Sequence, residues 1–581
     1  MSSFLSRIMV GKSKAHFSAG ANGRAPGAPS AFQGTRKRRG NQARNRVVIM
    51  ICAFSAAYVV IAGRLVQYAM IDDETVASIG RSDNLMASRP DILDRNGEVL
   101  ATDIRTVSLY AEPHKIVDAD EAVEQLSTVL PNLNVADIYN KLKSKSRFQW
   151  LRRQLTPKQQ SQILALGIPG IGFRPEKRRF YPGGHTASHV VGHVNVDNRG
   201  IAGMERYIDA QGLADLASVG MTSDAKMEPV RLSIDLRVQN ILRDVLVEAQ
   251  GKFKAIAAGG VIMNVHTGEI LAMASIPDYD PNNPAAGAEE GWMNRMSNGT
   301  FEMGSTFKSF TIAMALDSGK VTLKDSFDAR YPIRIGGFTI KDFHGKGRVL
   351  SVPEIFQYSS NIGTAKMADL VGIAAHKEFL TRLGLLTRVP TELPEVKMPS
   401  QPREWKKINS ITISFGHGVS TTPLQTAVAG AALVNGGHLI EPTFLPRSAE
   451  EAEASSVQVL KAKTSADMRF LFRWNGINGS GKSARVPGFD VGGKTGTADK
   501  VVKGRYSSDH NFNAFLAAFP INDPQYVVLT FIDDPRSESG RAAIAGTTAA
   551  PMVHDVIARA APLLGVEPKF GSDGSAMLVS Y

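Results

Sequence analysis

In FEMGSTFKSF (301–310), Ser305 stands three residues before Lys308 and directly after Gly304. On a helix, positions i and i+3 share one face, with Cβ atoms about 5–6 Å apart. A hydroxyl and an amine so placed can act as a nucleophile and its base. The plainer reading is a surface helix start, with Ser305 as a cap and Lys308 in solvent. Ser-x-x-Lys arises about twice by chance in a chain this long. It recurs here as Ser223 and Lys226 in MTSDAKME, so the pair needs support from elsewhere.

Two further motifs follow in chain order. QYSSNIGTAKMA supplies Ser359, Ser360 and Asn361, a Ser-x-Asn, and VGGKTGTADK supplies Lys494, Thr495, Gly496 and Thr497. Ser-x-x-Lys, Ser-Asp-Asn and Lys-Thr-Gly in that order mark acyl-serine enzymes of the penicillin-binding and class A β-lactamase type. Here Ser360 takes the middle position in place of Asp. The literal Ser82-Asp83-Asn84 of RSDNLM lies far upstream of Ser305 and out of order.

Each residue has a physical task. A free lysine amine has a pKa of about 10.4, whereas a working base needs one nearer 7. Lowering Lys308 by about three units costs on the order of 4 kcal/mol, through burial and a nearby positive charge that Lys494 could supply. Ser305 at a helix N-terminus gains from backbone N–H groups aimed at developing negative charge. Ser359 can pass a proton between Lys308 and a departing amine. Asn361 can orient Lys308 and the substrate, or be only a loop hydrogen-bonder. Thr495 and Thr497 offer hydroxyls to a substrate carboxylate, although Thr495 could be only a strand former. Gly496 lets a peptide approach the strand edge.

These side chains need a scaffold. AIAAGGVIMNVHTGEILAMAS (255–275) reads as two strands about a turn, and STFKSFTIAMALDSG as a helix with Phe307, Phe310 and Met314 on its apolar face. DVGGKTGTADK, NFNAFLAAFP and QYVVLTFID read as late strands, and TAAPMVHDVIARAAPLL as a closing helix. Strands at both ends with helices between predict an antiparallel sheet covered by helices, an α+β layer fold. Upstream, DILDRNGEVLATD (91–103) carries a hairpin signal and residues 118–165 have helical periodicity. This region predicts an irregular α+β module with no obvious pocket of its own.

The net charge of +12 suggests nucleic acid, but its distribution argues otherwise. Residues 1–46 hold ten Lys and Arg and no Asp or Glu; the ten taken from 67 leave 57 basic against 55 acidic residues. The basic excess is a tail, low in complexity and predicted disordered. VVIMICAFSAAYVVIAG (47–63) follows without a charge. Its 17 residues span about 26 Å of a hydrocarbon core about 30 Å thick, and the apolar character continues past Arg64 in RLVQYAM. A membrane helix over 47–69, tail in the cytoplasm and the remainder outside, is the expectation. The long leader and the lack of a small-residue cleavage site argue against a removed signal peptide. The one cysteine, Cys52, falls inside the span, and no His-Glu-x-x-His occurs, so neither a disulfide nor a metal site is expected, and no cofactor.

Beyond the motifs, the chain from the span to about residue 560 resembles the class B penicillin-binding proteins, most closely the division-specific peptidoglycan D,D-transpeptidases (FtsI type). SRPDILDRNGEVLA resembles a first pedestal motif, with Pro90 where glycine is usual. RRFYPGGHTASHVVGHVNVDNRGIAGMERYID resembles the second, including Gly200, Gly203 and Glu205; LSIDLRVQ, SFGHGVSTTPLQ and FPINDP sit where the family has similar segments. Met303 replaces a usual proline. The resemblance implies a tail (1–46), membrane helix (47–69), pedestal or dimerisation-like domain (70–228), penicillin-binding/serine β-lactamase-like transpeptidase domain (229–566) and C-terminal tail (567–581). It implies that Ser305 attacks the penultimate D-alanine carbonyl of a stem peptide, releases D-alanine and passes the acyl group to a neighbouring amine. The Ser305 and Thr497 N–H groups would form the oxyanion hole, and β-lactams would acylate Ser305. It also implies a SEDS-type glycan polymerase and other divisome membrane proteins as partners, and no nucleic acid. The location implied is the inner membrane, with the catalytic domain periplasmic.

Alternatives remain at this stage. An elongation-type transpeptidase would share every catalytic residue. A membrane-bound β-lactamase needs a deacylating Glu that no motif supplies, and a β-lactam sensor needs a cytoplasmic signalling domain that residues 1–46 do not resemble. A silent scaffold would tolerate loss of Ser305 or Lys308, which are both present. The pedestal is expected to serve assembly, with Glu205→Ala sparing penicillin acylation while impairing division.

Overall fold

The computed structural model describes residues 89–212, 227–286, 291 and 293–570, with 50–52, 54–56, 58–59 and 61–62. The chain divides into two compact units, Met1–Ser82 and Asp83–Tyr581. In the first, the described residues are helical, with Phe54, Tyr58 and Val59 exposed. No helix among the described residues is long and apolar enough to cross a membrane. The 1–46 tail, most of the 47–69 span, Ser82-Asp83-Asn84, the Ser223/Lys226 decoy and residues 571–581 lie outside the described residues.

In the second unit the chain starts with β1 (Ile92–Leu93) and turns through Asn96 and Gly97 into β2 (Val99–Ala111), as the hairpin signal predicts. Helices α1 (Ala119–Val129) and α2 (Val135–Leu142) follow, capped by the side chains of Asp118 and Asn134. Next come β3 (Gln149–Leu155), α3 (Pro157–Leu166), β4 (Ile171–Phe180), α4 (Gly203–Ala210) and β5 (Val230–Arg231). Strand β3 lies inside the stretch whose periodicity read as helical. The strands form one sheet in the order β3-β2-β1-β5, with β4 also on β2. Leu109, Leu126, Ile138 and Ile163 make a core of their own between this sheet and α1–α3.

The larger part begins with α5 (Leu236–Lys252), β6 (Ala257–Asn264) and β7 (Ile270–Ile276). The helical portion includes α6 (Lys308–Asp317), α7 (Val352–Tyr358), α8 (Asn361–Val371), α9 (Pro423–Ala432) and α10 (Ala462–Asn478). Strands β8 (Gly492–Val502), β9 (Arg505–Phe519) and β10 (Tyr526–Asp533) and helix α11 (Ala549–Ala560) close the chain. The sheet order is β8-β9-β10-β6-β7, antiparallel throughout. It is the helix-covered antiparallel sheet that the strand and helix pattern predicts.

Alternation along the strands builds two cores. On β10, Val527, Leu529 and Phe531 face the helical side with Phe307 and Phe310, while Val528 and Ile532 face α5 and α11. The first core also takes in Ile92, Met204 and Ile208, so the base of the pedestal packs into the same apolar interior. Among the described residues, strand β8 pairs only with β9, and its other edge carries no strand.

Candidate active site

Ser305 sits in a 3-10 turn, Gly304–Phe307, that runs directly into α6. At three residues per turn, i and i+3 stand directly over one another, so Lys308 is aligned with Ser305 more closely than an α-helix would align it. Lys308 Nζ lies 2.8 Å from Ser305 Oγ. The approach to the turn is held from behind: Phe301 stacks on Phe512 at 4.4 Å, and its backbone exchanges hydrogen bonds with Thr421. Gly304 has φ +52°, and a Cβ there would fall 2.7 Å from the Thr497 carbonyl oxygen. Only glycine fits this crossing between the turn and β8.

The second motif closes on the same amine. Ser359 ends α7 in a left-handed conformation, φ 57°, which turns both its carbonyl and its hydroxyl toward Lys308. Lys308 Nζ lies 2.7 Å from Ser359 O and 2.9 Å from Ser359 Oγ. Lys494 Nζ reaches the same hydroxyl from β8 at 3.1 Å. Ser359 Oγ is thus the shared neighbour of two buried amines, each 1% exposed or less. Burial, then the Lys494 charge, hold Lys308 well below the usual lysine range, against a smaller opposing pull from Asp342. Burial lowers Lys494 to about 7. A neutral Lys308 can accept the Ser305 proton. Acylation by benzylpenicillin is therefore expected to rise with pH as Lys308 sheds its proton, and to fall above pH about 7 as Lys494 loses its charge. A flat profile of acylation rate between about pH 5 and pH 10 would contradict this assignment of the two amines.

The third motif divides across its strand. Lys494 turns to Ser359, whereas Thr495 and Thr497, on the alternate face, meet other partners. Thr495 Oγ1 lies 2.5 Å from Ser480 Oγ, and Thr497 Oγ1 accepts from the Ala545 N–H at 3.1 Å. Gly496 has a further reason to be glycine: a Cβ would fall 2.3 Å from Met303 O and 2.8 Å from Thr306 Cγ2. The missing side chain lets β8 lie against the turn that carries Ser305. That contact is intramolecular and is separate from the approach of a peptide to the strand edge expected from the sequence.

Of the two roles open to Asn361, its amide takes a loop hydrogen bond in this structure. Its Nδ2 donates to the Lys341 carbonyl at 2.9 Å, and among the described residues no hydrogen bond joins it to Lys308. The carboxylate that the middle motif lacks comes from the same neighbouring loop. Asp342 accepts from Ser360 Oγ at 2.7 Å and from the Ile362 N–H at 2.9 Å. Ser360 itself caps α8 through the Gly363 N–H at 3.0 Å. Nothing in the local spacing marks Asp342, because the loop reaches Ser359–Asn361 only through the tertiary fold. Asp342→Ala is expected to cost about 1–2 kcal/mol, as loss of a helix cap does, and to slow penicillin acylation by loosening Ser359. A melting curve and an acylation time course check this together; an unchanged rate would leave Asp342 a cap only.

Glu302 is another residue that sequence reasoning passed over. Its carboxylate accepts from Gly418 N at 2.7 Å and from Tyr506 OH at 3.0 Å, joining the SFGHG loop to β9 beside Ser305. Only the proximity of Glu302 to Ser305 in the chain could have drawn attention to it.

Two family models match this chain. The penicillin binding protein transpeptidase domain covers residues 258–558, and the penicillin-binding protein dimerisation domain covers residues 84–215. The chain is 38% identical over 501 residues to the probable peptidoglycan D,D-transpeptidase FtsI of Caulobacter vibrioides, 84% of each protein. It is 32% identical over 547 residues to the probable peptidoglycan D,D-transpeptidase PenA of Neisseria gonorrhoeae, 90% of this chain and 93% of the relative. Peptidoglycan D,D-transpeptidase FtsI of Escherichia coli K12 is 30% identical over 521 residues, 84% and 86% of the two chains.

Proposed function

The chain belongs to the penicillin-binding protein transpeptidases, and from that premise we propose that it cross-links peptidoglycan stem peptides at the division septum. It is a class B penicillin-binding D,D-transpeptidase whose ligands are stem peptides and β-lactams. The observation that carries the mechanism is the meeting of Lys308 and Lys494 at the Ser359 hydroxyl, at 2.9 and 3.1 Å, with Lys308 Nζ also 2.8 Å from Ser305 Oγ.

In this reading Lys308 removes the Ser305 proton as Oγ attacks the penultimate D-alanine carbonyl. The Ser305 and Thr497 N–H groups receive the developing oxyanion, helped by the fixed Gly304–Thr497 crossing. Ser359 passes the proton to the departing D-alanine amine, and the C–N bond breaks to leave an acyl-Ser305 ester. An amine of a second stem peptide then attacks that ester; Lys308 takes its proton and returns it to Ser305 Oγ as the ester C–O bond breaks and the new amide is left as the cross-link. Thr495 and Thr497 hold the donor carboxylate, and Asn361 orients the donor peptide from the rim. Release of free D-alanine and a cross-linked peptide from stem pentapeptide substrate tests the reaction. Rapid hydrolysis of penicillin would mark a β-lactamase instead.

The septal role rests on the resemblance to the FtsI type, and a fluorescent fusion that followed the side wall would turn the reading to elongation. The domain boundaries at 46, 69, 228 and 566 belong to the same proposal, as do a SEDS-type glycan polymerase and other divisome membrane proteins as partners. The anchor is proposed from the charge-free stretch 47–63 after ten basic residues and from the exposed apolar side chains of Phe54, Tyr58 and Val59. It would place residues 1–46 in the cytoplasm and the catalytic domain in the periplasm. The expected mass of the mature protein is that of the uncleaved chain; a mature N-terminus near residue 70 would overturn the anchor.

A further inference from the structure

Ser480 stands outside all three motifs, in the loop that leaves α10, yet its hydroxyl touches one of them. Its Oγ lies 2.5 Å from Thr495 Oγ1. The contact is built: Asn475, wholly buried near the end of α10, donates its amide to the Gly493 carbonyl of β8 at 2.7 Å. The same side chain accepts from the Ser480 N–H at 3.2 Å. Asn475 thereby joins the loop to the strand immediately before Lys494 and presents Ser480 to Thr495.

Two hydroxyls in such contact share one proton between them and keep the other free, whichever of the two donates. Thr497 Oγ1 accepts from Ala545 N, and among the described residues no acceptor takes its own proton. With Ser480 as the donor of that contact, the face of β8 that carries Thr495 and Thr497 can offer two O–H donors, and a carboxylate has two oxygens to receive them. Without Ser480, Thr495 Oγ1 would lose the partner that fixes its rotation.

We propose that Ser480 is a positioning residue of the carboxylate subsite, acting through Thr495 to aim a hydroxyl proton at the C-terminal carboxylate of the donor peptide or at the acid group of a β-lactam. This deepens the reading of Thr495 and Thr497 given above and rests on it. The expected signature is selectivity for an acidic ligand, which a merely structural serine would not confer.

The test compares Ser480→Ala and Ser480→Thr with wild type in the purified full chain, using benzylpenicillin and benzylpenicillin methyl ester as probes. Ser480→Ala is expected to lower acylation by the acid on the order of tenfold, mainly through the concentration dependence and not the maximal rate. The ester, which lacks the anionic group, is expected to change less than about twofold, and Ser480→Thr to restore the acid to within about threefold of wild type. Equal losses with acid and ester, or an unchanged rate with the acid, would overturn the proposal. Because the acid-to-ester ratio is read within each protein, partial misfolding of a variant does not obscure it. Wild-type chain that formed no adduct with the acid would instead overturn the transpeptidase reading, and this inference with it.

Discussion

Ser305→Ala is expected to abolish covalent capture of a fluorescent penicillin while leaving the fold intact. The acyl bond needs an oxygen at this position, and the other nearby hydroxyl, Ser359 Oγ, is committed between two lysines. Loss of the hydroxyl does not orphan Lys308, whose Nζ keeps Ser359 O at 2.7 Å and Ser359 Oγ at 2.9 Å. Nor does it open a core cavity, since Ser305 is half-buried and the turn is fixed by Gly304, Thr306 and Phe307. The melting temperature should therefore stay close to that of wild type as labelling falls to background. Residual labelling at the wild-type rate would remove Ser305 as the nucleophile. Ser223→Ala, at the second Ser-x-x-Lys, should label normally.

A large loss of stability is expected from Glu205→Ala in α4. Glu205 is 0% exposed and lies between two buried guanidinium groups. Arg89 Nε donates to its Oε2 at 2.9 Å and Arg179 Nε to its Oε1 at 2.6 Å. Asp209 and Asp103 complete the cluster, at 2.5 Å from Arg89 and 3.2 Å from Arg179. Removing one partner of a buried ion pair leaves the other charge poorly compensated, at a cost of about 3–5 kcal/mol. Two arginines lose a partner here, so the upper part of that range is expected. Thermal or denaturant unfolding of the full chain reads the loss, and an unchanged midpoint would contradict it. Chain that remains folded should still acylate, because no residue of the cluster is among those around Ser305. Glu205 is therefore an internal strut of the pedestal, and any division defect of the variant would follow from a weakened pedestal, not from loss of an exposed contact.

The sequence by itself determined the parts of this protein that short-range chemistry constrains. A nucleophile and its base must be spaced to meet on one turn, so Ser305 and Lys308 were legible together. The strands of 255–275 and the late strands were legible as apolar runs, because a sheet with both faces covered demands apolar side chains on each. The order of the three motifs and the position of the basic tail needed no structure either. Helical periodicity over 118–165, in contrast, hid β3, which owes its form to pairing with β2.

Only the tertiary structure decided which groups complete the site. Asp342 supplies the carboxylate missing from the middle motif, and Ser480 partners Thr495, each from a loop remote in sequence. Gly496 accommodates the Ser305 turn, and the Asn361 amide goes to the Lys341 carbonyl. Spacing along the chain reports contacts within a few residues, because helices and strands have fixed periods. Contacts between distant segments depend on how the sheet and its helices close around a common core, and no local period encodes that closure.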